Sequence, residues 1–134
     1  MAARMRLANP LTLPPLTLAY LGDALYEAFV RERLLERGYV RVNDLHRHAL
    51  RYVQATAQAA ILHHLMPALT EQEQDVVRRG RNAKGHGAPK SADPAEYAAS
   101  TGFEALVGYL YLAGQAERLS EVLQAAADFI ERGQ

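Results

Sequence analysis

Two carboxylates in this chain stand apart from every other charge. Between Leu7 and Tyr26 the one charged residue is Asp23, and between Tyr97 and Ala116 it is Glu104. Leu18, Tyr20, Leu21, Leu25 and Phe29 surround the first, and Phe103, Leu106, Val107, Leu110 and Leu112 the second, apolar at helical spacing nearly all round. Helices of that kind are expected to be buried in a bundle or an interface. Aspartate is a poor helix-interior residue, and an unpartnered buried carboxylate is costly. A salt bridge or a hydrogen bond to a tyrosine would offset that cost for one acid; two lone acids favour a shared site. On facing helices the pair can hold a hard divalent cation, since Mg²⁺ takes few protein carboxylates and keeps waters that phosphate oxygens displace. Gly22 and Gly108 each lie within a turn of an acid, which suits close helix approach, near a ligand or in plain packing.

The second chemical feature is positive. Residues 76–92 carry Arg78, Arg79, Arg81, Lys84 and Lys90, together with His86, and no acid. The whole chain has 15 Lys+Arg and 15 Asp+Glu, so the remainder holds 10 bases against 15 acids. An acidic body with one basic strip suits a protein that meets a polyanion along that strip. Gly80, Gly85, Gly87 and Pro89 mark the stretch as a loop with backbone free to approach phosphates, although a merely solvated loop has the same composition. It is not a P-loop: His86-Gly87 stands where Lys-Ser/Thr is required, and no strand precedes it.

Other chemistries are excluded or weakly supported. With no cysteine among 134 residues there is no thiolate zinc site, iron–sulfur cluster or thiol nucleophile, and a reducing cytoplasmic compartment is compatible. His63-His64 are adjacent and His46/His48 are two apart, so neither pair has the i, i+4 spacing of a zinc site. The N-terminal MAARMRLANPLTLPPL is interrupted by Pro10, Pro14 and Pro15 and does not read as a signal peptide, and no window reads as a membrane span.

The elements that must position these residues are helical throughout, without repeats or linkers, which predicts one all-α domain over 1–134. A helix is expected from Leu16 to Arg37, with Gly38 as its cap. A second, capped by Asn43, should begin at Asp44 and run, bent near Val53, to about Met66. Thr70 and Glu73 form a capping box for a third that stops near Gly80. Asp93-Pro94-x-Glu96 opens a helix ending at Gly114, and Glu117 to Arg132 is the last, closed by Gly133. The first of these is apolar on nearly every side through Val30, so part of it should lie in a two-fold interface.

Tyr20-Leu21-Gly22-Asp23-Ala24 resembles the F-L-G-D-A signature of the ribonuclease III family, and Phe103-Glu104-Ala105-Leu106 followed by Tyr111-Leu112 resembles its second acidic motif. Arg79-Gly80-Arg81-Asn82-Ala83-Lys84 and Ser100-Thr101-Gly102-Phe103-Glu104 are similar to the small subgroup that consists of the nuclease domain alone. The resemblance covers essentially the whole chain and leaves no residues for a separate double-stranded RNA-binding domain. It implies a helical nuclease bundle of five to seven helices acting as a homodimer. The implied reaction is Mg²⁺-dependent cleavage of double-stranded RNA, with Mn²⁺ able to substitute, in maturing the ends of precursor 23S ribosomal RNA. A ribosomal protein bound to that substrate is a further implied partner. Asp23 and Glu104 would be the catalytic metal ligands, and Arg78, Arg79, Arg81, Lys84, His86 and Lys90 the RNA-binding residues. Full-length ribonuclease III carries two further acids where this chain has Ala19 and Thr101, so the implied site is lean and supports one metal more easily than two. Glu27, one turn after Asp23, could contribute through water. The alternatives are a non-catalytic RNA-binding or ribosome-associated protein on the same fold, and a helical protein-interaction module.

Overall fold

A computed structural model describes residues 9–83 and 90–133. After a short 3-10 turn at Pro10–Thr12, the elements are α1 (Pro15–Glu36), α2 (Val42–Val53), α3 (Ala55–Leu65), α4 (Glu71–Arg81), α5 (Pro94–Leu112) and α6 (Ala116–Arg132), with a second 3-10 turn at Met66–Ala68 between α3 and α4. No strand occurs among the described residues, and none of their helices is long and apolar enough to cross a membrane.

The helix that organises the bundle is α5. Gly102, Phe103 and Ala105 to Leu110 are all buried, and α1, α3, α4 and α6 pack around it. This is the all-round apolar helix that its sequence predicts. Its start is set by Asp93, whose carboxylate accepts from the Ala95 N–H at 3.0 Å, with Pro94 at the first helical position. Its end is set by Gly114, left-handed at φ 76°. Gly38 ends α1 in the same way at φ 99°. The predicted Thr70–Glu73 capping box is present in both directions.

Two local expectations are corrected. First, α2 begins at Val42 after Arg41, so Asn43 lies inside the first turn and does not cap it. The bend near Val53 is a complete break at Gln54, whose extended ψ of 155° separates α2 from α3. Second, α4 continues through Arg81. Gly80 is therefore not a breaker; a Cβ there would lie 2.9 Å from Gly102 Cα and 3.0 Å from Ala105 Cβ, so its missing side chain lets α4 lie directly on α5. Gly133 closes α6 as expected, its N–H donating to the Phe129 carbonyl, with a negative φ of −74°.

Buried and polar contacts tie the remaining helices together. Tyr26 is fully buried, meets Phe103 edge-on at 5.1 Å and donates to the Tyr52 carbonyl at 2.8 Å, joining α1 to α5 and α2. Glu131 of α6 accepts from Arg33, Arg37 and Tyr52, each at 2.8 Å, and these bonds hold its carboxyl down at about 2. Arg118 forms a bidentate pair with the capping-box Glu73 and also donates to the Ala68 carbonyl. Both polar clusters fix helix positions.

Candidate active site

Asp23 on α1 and Glu104 on α5 meet where their helices cross. The crossing is a backbone contact: a Cβ on Gly22 would lie 1.7 Å from the Glu104 carbonyl oxygen, and one on Gly108 would lie 2.0 Å from that of Leu18. Any side chain at either position would force the helices apart. The two glycines therefore do what their spacing suggested, bringing carboxylates from opposite ends of the chain within reach.

The carboxyl groups of Asp23 and Glu104 interact directly at the crossing. Two like charges that close favour retention of a proton by one of them. Burial first, and the charge of Asp23 second, push Glu104 from 4.5 up to about 8. A bond from Gln58 opposes this: Nε2 donates to Glu104 Oε2 at 3.1 Å. Asp23 is also raised from 3.8, by burial and then by the charge of Glu27, while its bond with Glu104 pulls it back. The site thus disfavours two negative charges at once.

The expectation that both acids are buried holds only in part. Glu104 is half-buried in the α1–α5 crossing, whereas Asp23 is exposed. The reason is that α1 has two faces. Leu18, Ala19, Gly22, Tyr26, Val30 and Leu34 form the buried stripe, while Tyr20, Ala24, Ala28 and Leu35 are exposed. Tyr20 is 86% exposed. Asp23 thus sits at the open rim of the crossing, where a large ligand can reach it, and a shallow depression lined by Tyr20, Leu21, Asp23, Ala24, Glu27, Ala28 and Arg31 runs past it.

A divalent cation fits this pair. The donors are hard carboxylate oxygens, and a cation would offset the repulsion between them. Two carboxylates would leave most of the coordination shell to water and substrate. The positions where the larger ribonucleases carry further acids add none: Ala19 is buried, and the Thr101 hydroxyl donates to the Tyr97 carbonyl at 3.1 Å. Glu27 is half-buried and pairs with Arg31 at 3.3 Å. Among the described residues no three His, Cys, Asp or Glu side chains cluster to hold a metal. Of the described histidines, His48 lies against Tyr39 at 4.1 Å and His64 stacks on Phe129 at 4.6 Å.

The basic segment is only partly a loop. Arg78, Arg79 and Arg81 project from the last turns of α4, with Arg78 and Arg81 exposed and Arg79 half-buried. Lys90 is exposed in the turn before α5, and Lys84 and His86 lie outside the described residues. Packing of α4 on α5 through Gly80 and Gly102 attaches the arginines to the helix that carries Glu104. Sequence reasoning missed Gln58; a single glutamine in an apolar helix has no spacing that signals it.

Comparison with known proteins bears on this geometry. The Ribonuclease III domain family model matches residues 16–115. A Mini-ribonuclease 3 of Desulfitobacterium hafniense is 56% identical over 115 residues, 86% of this chain and 73% of that protein. One from Brevibacillus brevis is 50% identical over 123 residues, 92% of either chain. A crystal structure of a Fusobacterium nucleatum protein superposes with a TM-score of 0.78 at 28% identity, covering 87% of this chain and 93% of that one. An all-helical bundle with its lone acids paired at one crossing, matched across its length by these relatives, belongs to the ribonuclease III family and is an endoribonuclease of the Mini-ribonuclease 3 kind.

Proposed function

We propose that the chain is one nuclease domain that cleaves double-stranded RNA by Mg²⁺-dependent phosphodiester hydrolysis, with Asp23 and Glu104 as the catalytic metal ligands. The observation that carries this reading is the backbone contact of α1 and α5 at Gly22 and Gly108, which brings the two acids together at one crossing. Bound there, Mg²⁺ would supply Lewis-acid stabilisation of a phosphodiester and activation of water, and Mn²⁺ could replace it. The chain's own residues do the rest. Glu104, fixed between α1 and Gln58, anchors the buried side, and Asp23 at the rim faces the backbone of an arriving strand. No side chain at the site is suited to covalent attack, so water is the nucleophile.

RNA-binding falls to Arg78, Arg79, Arg81, Lys84, His86 and Lys90, through phosphates and 2′-hydroxyls, because the A-form major groove is too narrow for side chains. We assign a homodimer on the outer face of α1 and the groove it forms with α2, where Tyr20, Leu35, Val42 and Leu50 are 86%, 55%, 66% and 55% exposed. Two sites, one per strand, suit a double-strand cutter. Within a cytoplasmic setting the substrate is precursor 23S ribosomal RNA, whose ends would be matured, with a ribosomal protein on the RNA as a further partner.

Incubation with long double-stranded RNA, single-stranded RNA and duplex DNA, with Mg²⁺ or with chelator, tests the reading. Metal-dependent cutting of double-stranded RNA alone is expected. Tight binding of double-stranded RNA without cutting in Mg²⁺ or Mn²⁺ would replace it with a non-catalytic RNA-binding role.

A further inference from the structure

Gln58 lies beneath the carboxylate pair. It is on α3, is 2% exposed, and its Nε2 donates to the Val53 carbonyl at 2.8 Å as well as to Glu104 Oε2 at 3.1 Å. The Val53 carbonyl only accepts, so Nε2 must be the atom that faces it and the amide orientation is determined, with both N–H bonds used. The amide oxygen Oε1 is left buried without a hydrogen-bond partner among the described residues. An unsatisfied buried polar atom is costly. For packing alone, an apolar side chain of similar length would serve better in that place. The glutamine is also anchored: Val53 is the last residue of α2, where a helix leaves carbonyls without partners of its own.

We propose that Gln58 is a positioning residue of the metal site: it fixes the Glu104 carboxylate, through Oε2, against the end of α2, so that the group meets Asp23 and a cation in one orientation. The inference rests on the reading of Asp23 and Glu104 as metal ligands. A carboxylate at a helix crossing can rotate about its terminal torsion, and ordering it when the cation binds costs affinity. Prior fixing by the amide removes that cost, as partners behind metal ligands commonly do. The arrangement also explains why α3, which contributes no ligand, must lie against α5 at this level.

The test is Gln58→Met, which keeps length and removes the donor, with Mn²⁺ as the probe. Mn²⁺ binding to the RNA-free protein is followed by electron paramagnetic resonance, and the Mg²⁺ dependence of cleavage is measured in parallel. Both the Mn²⁺ Kd and the half-maximal Mg²⁺ concentration should rise about tenfold. The maximal rate at saturating Mg²⁺ and the Kd for RNA should stay near wild type. Ile61→Val, a core substitution on the same helix, should lower Tm without changing metal affinity. In the wild-type protein, which needs no variant to fold, the Gln58 side-chain amide resonance should shift along a Mg²⁺ titration. Unchanged Mn²⁺ affinity in folded Gln58→Met, or an amide resonance that ignores Mg²⁺, overturns the positioning role and leaves the carboxylate pair standing. A wild-type protein that takes up no Mn²⁺ overturns both.

Discussion

Glu104→Gln should make the metal-free protein more stable at pH 8. In the folded protein burial and Asp23 push Glu104 from 4.5 up to about 8, so between those values the native state keeps a proton that the unfolded chain releases. Stability must therefore fall as pH rises through that window. Each unit of displacement is worth about 1.4 kcal/mol. Water at the exposed Asp23 rim screens much of the repulsion, which leaves about 2 kcal/mol. The amide keeps the shape of the side chain, can donate to Asp23, and does not titrate. Urea unfolding in EDTA at pH 5 and pH 8 is the assay. Wild type should lose about 2 kcal/mol between them, and the variant less than half of that. At pH 8 the variant should melt roughly 8 °C higher, taking about 4 °C per kcal/mol for a chain of this length. Glu73 and Glu131, whose values are lowered, contribute in the opposite sense: their stabilisation is present above 4.5 and is lost on acidification, toward about 2 for Glu131, outside the window tested. Parallel pH profiles for the two proteins would refute the crowded-carboxylate account.

Further expectations concern the scaffold and the RNA surface. Gly22→Ala places a methyl group 1.7 Å from the Glu104 carbonyl oxygen, so it should cost about 3 kcal/mol in urea unfolding and abolish cleavage; near-native stability would mean that the crossing is not a backbone contact. Combined Arg78→Ala, Arg79→Ala and Arg81→Ala should weaken double-stranded RNA binding and flatten the dependence of log Kd on log salt by up to about one unit for each phosphate no longer neutralised; an unchanged slope would place the RNA elsewhere. Glu131→Gln removes a charged acceptor from Arg33, Arg37 and Tyr52 and should cost about 2 kcal/mol in the denaturation midpoint, with cleavage unaffected where the protein is folded.

What the sequence made legible depended on local or periodic signals. The all-apolar run of α5, the Thr70–Glu73 box and the Asp93-Pro94 start are determined by contacts a few residues apart, and each appears where the pattern placed it. The two acids were legible because isolation in an apolar run is itself a sequence property. That α1 has more apolar surface than one bundle covers was legible too; which of its faces stays open, and that Asp23 lies at its rim, was not, because the crossing with α5 sets it. Gly80 was misread for a related reason: one residue type serves to break a helix and to let two helices touch, and only Gly102 across the interface distinguishes them. Gln58 and the Arg33–Glu131 bond depend on partners from distant parts of the chain, which no window of sequence brings together.

The most direct measurement is cleavage of long double-stranded RNA in Mg²⁺ by purified Asp23→Asn and Glu104→Gln, with RNA binding and thermal unfolding recorded on the same samples. Each substitution removes one metal-binding charge and keeps shape, so cleavage should fall by orders of magnitude while binding and folding persist. Near-normal cutting by either folded variant would contradict the assignment of the α1–α5 crossing as the catalytic centre.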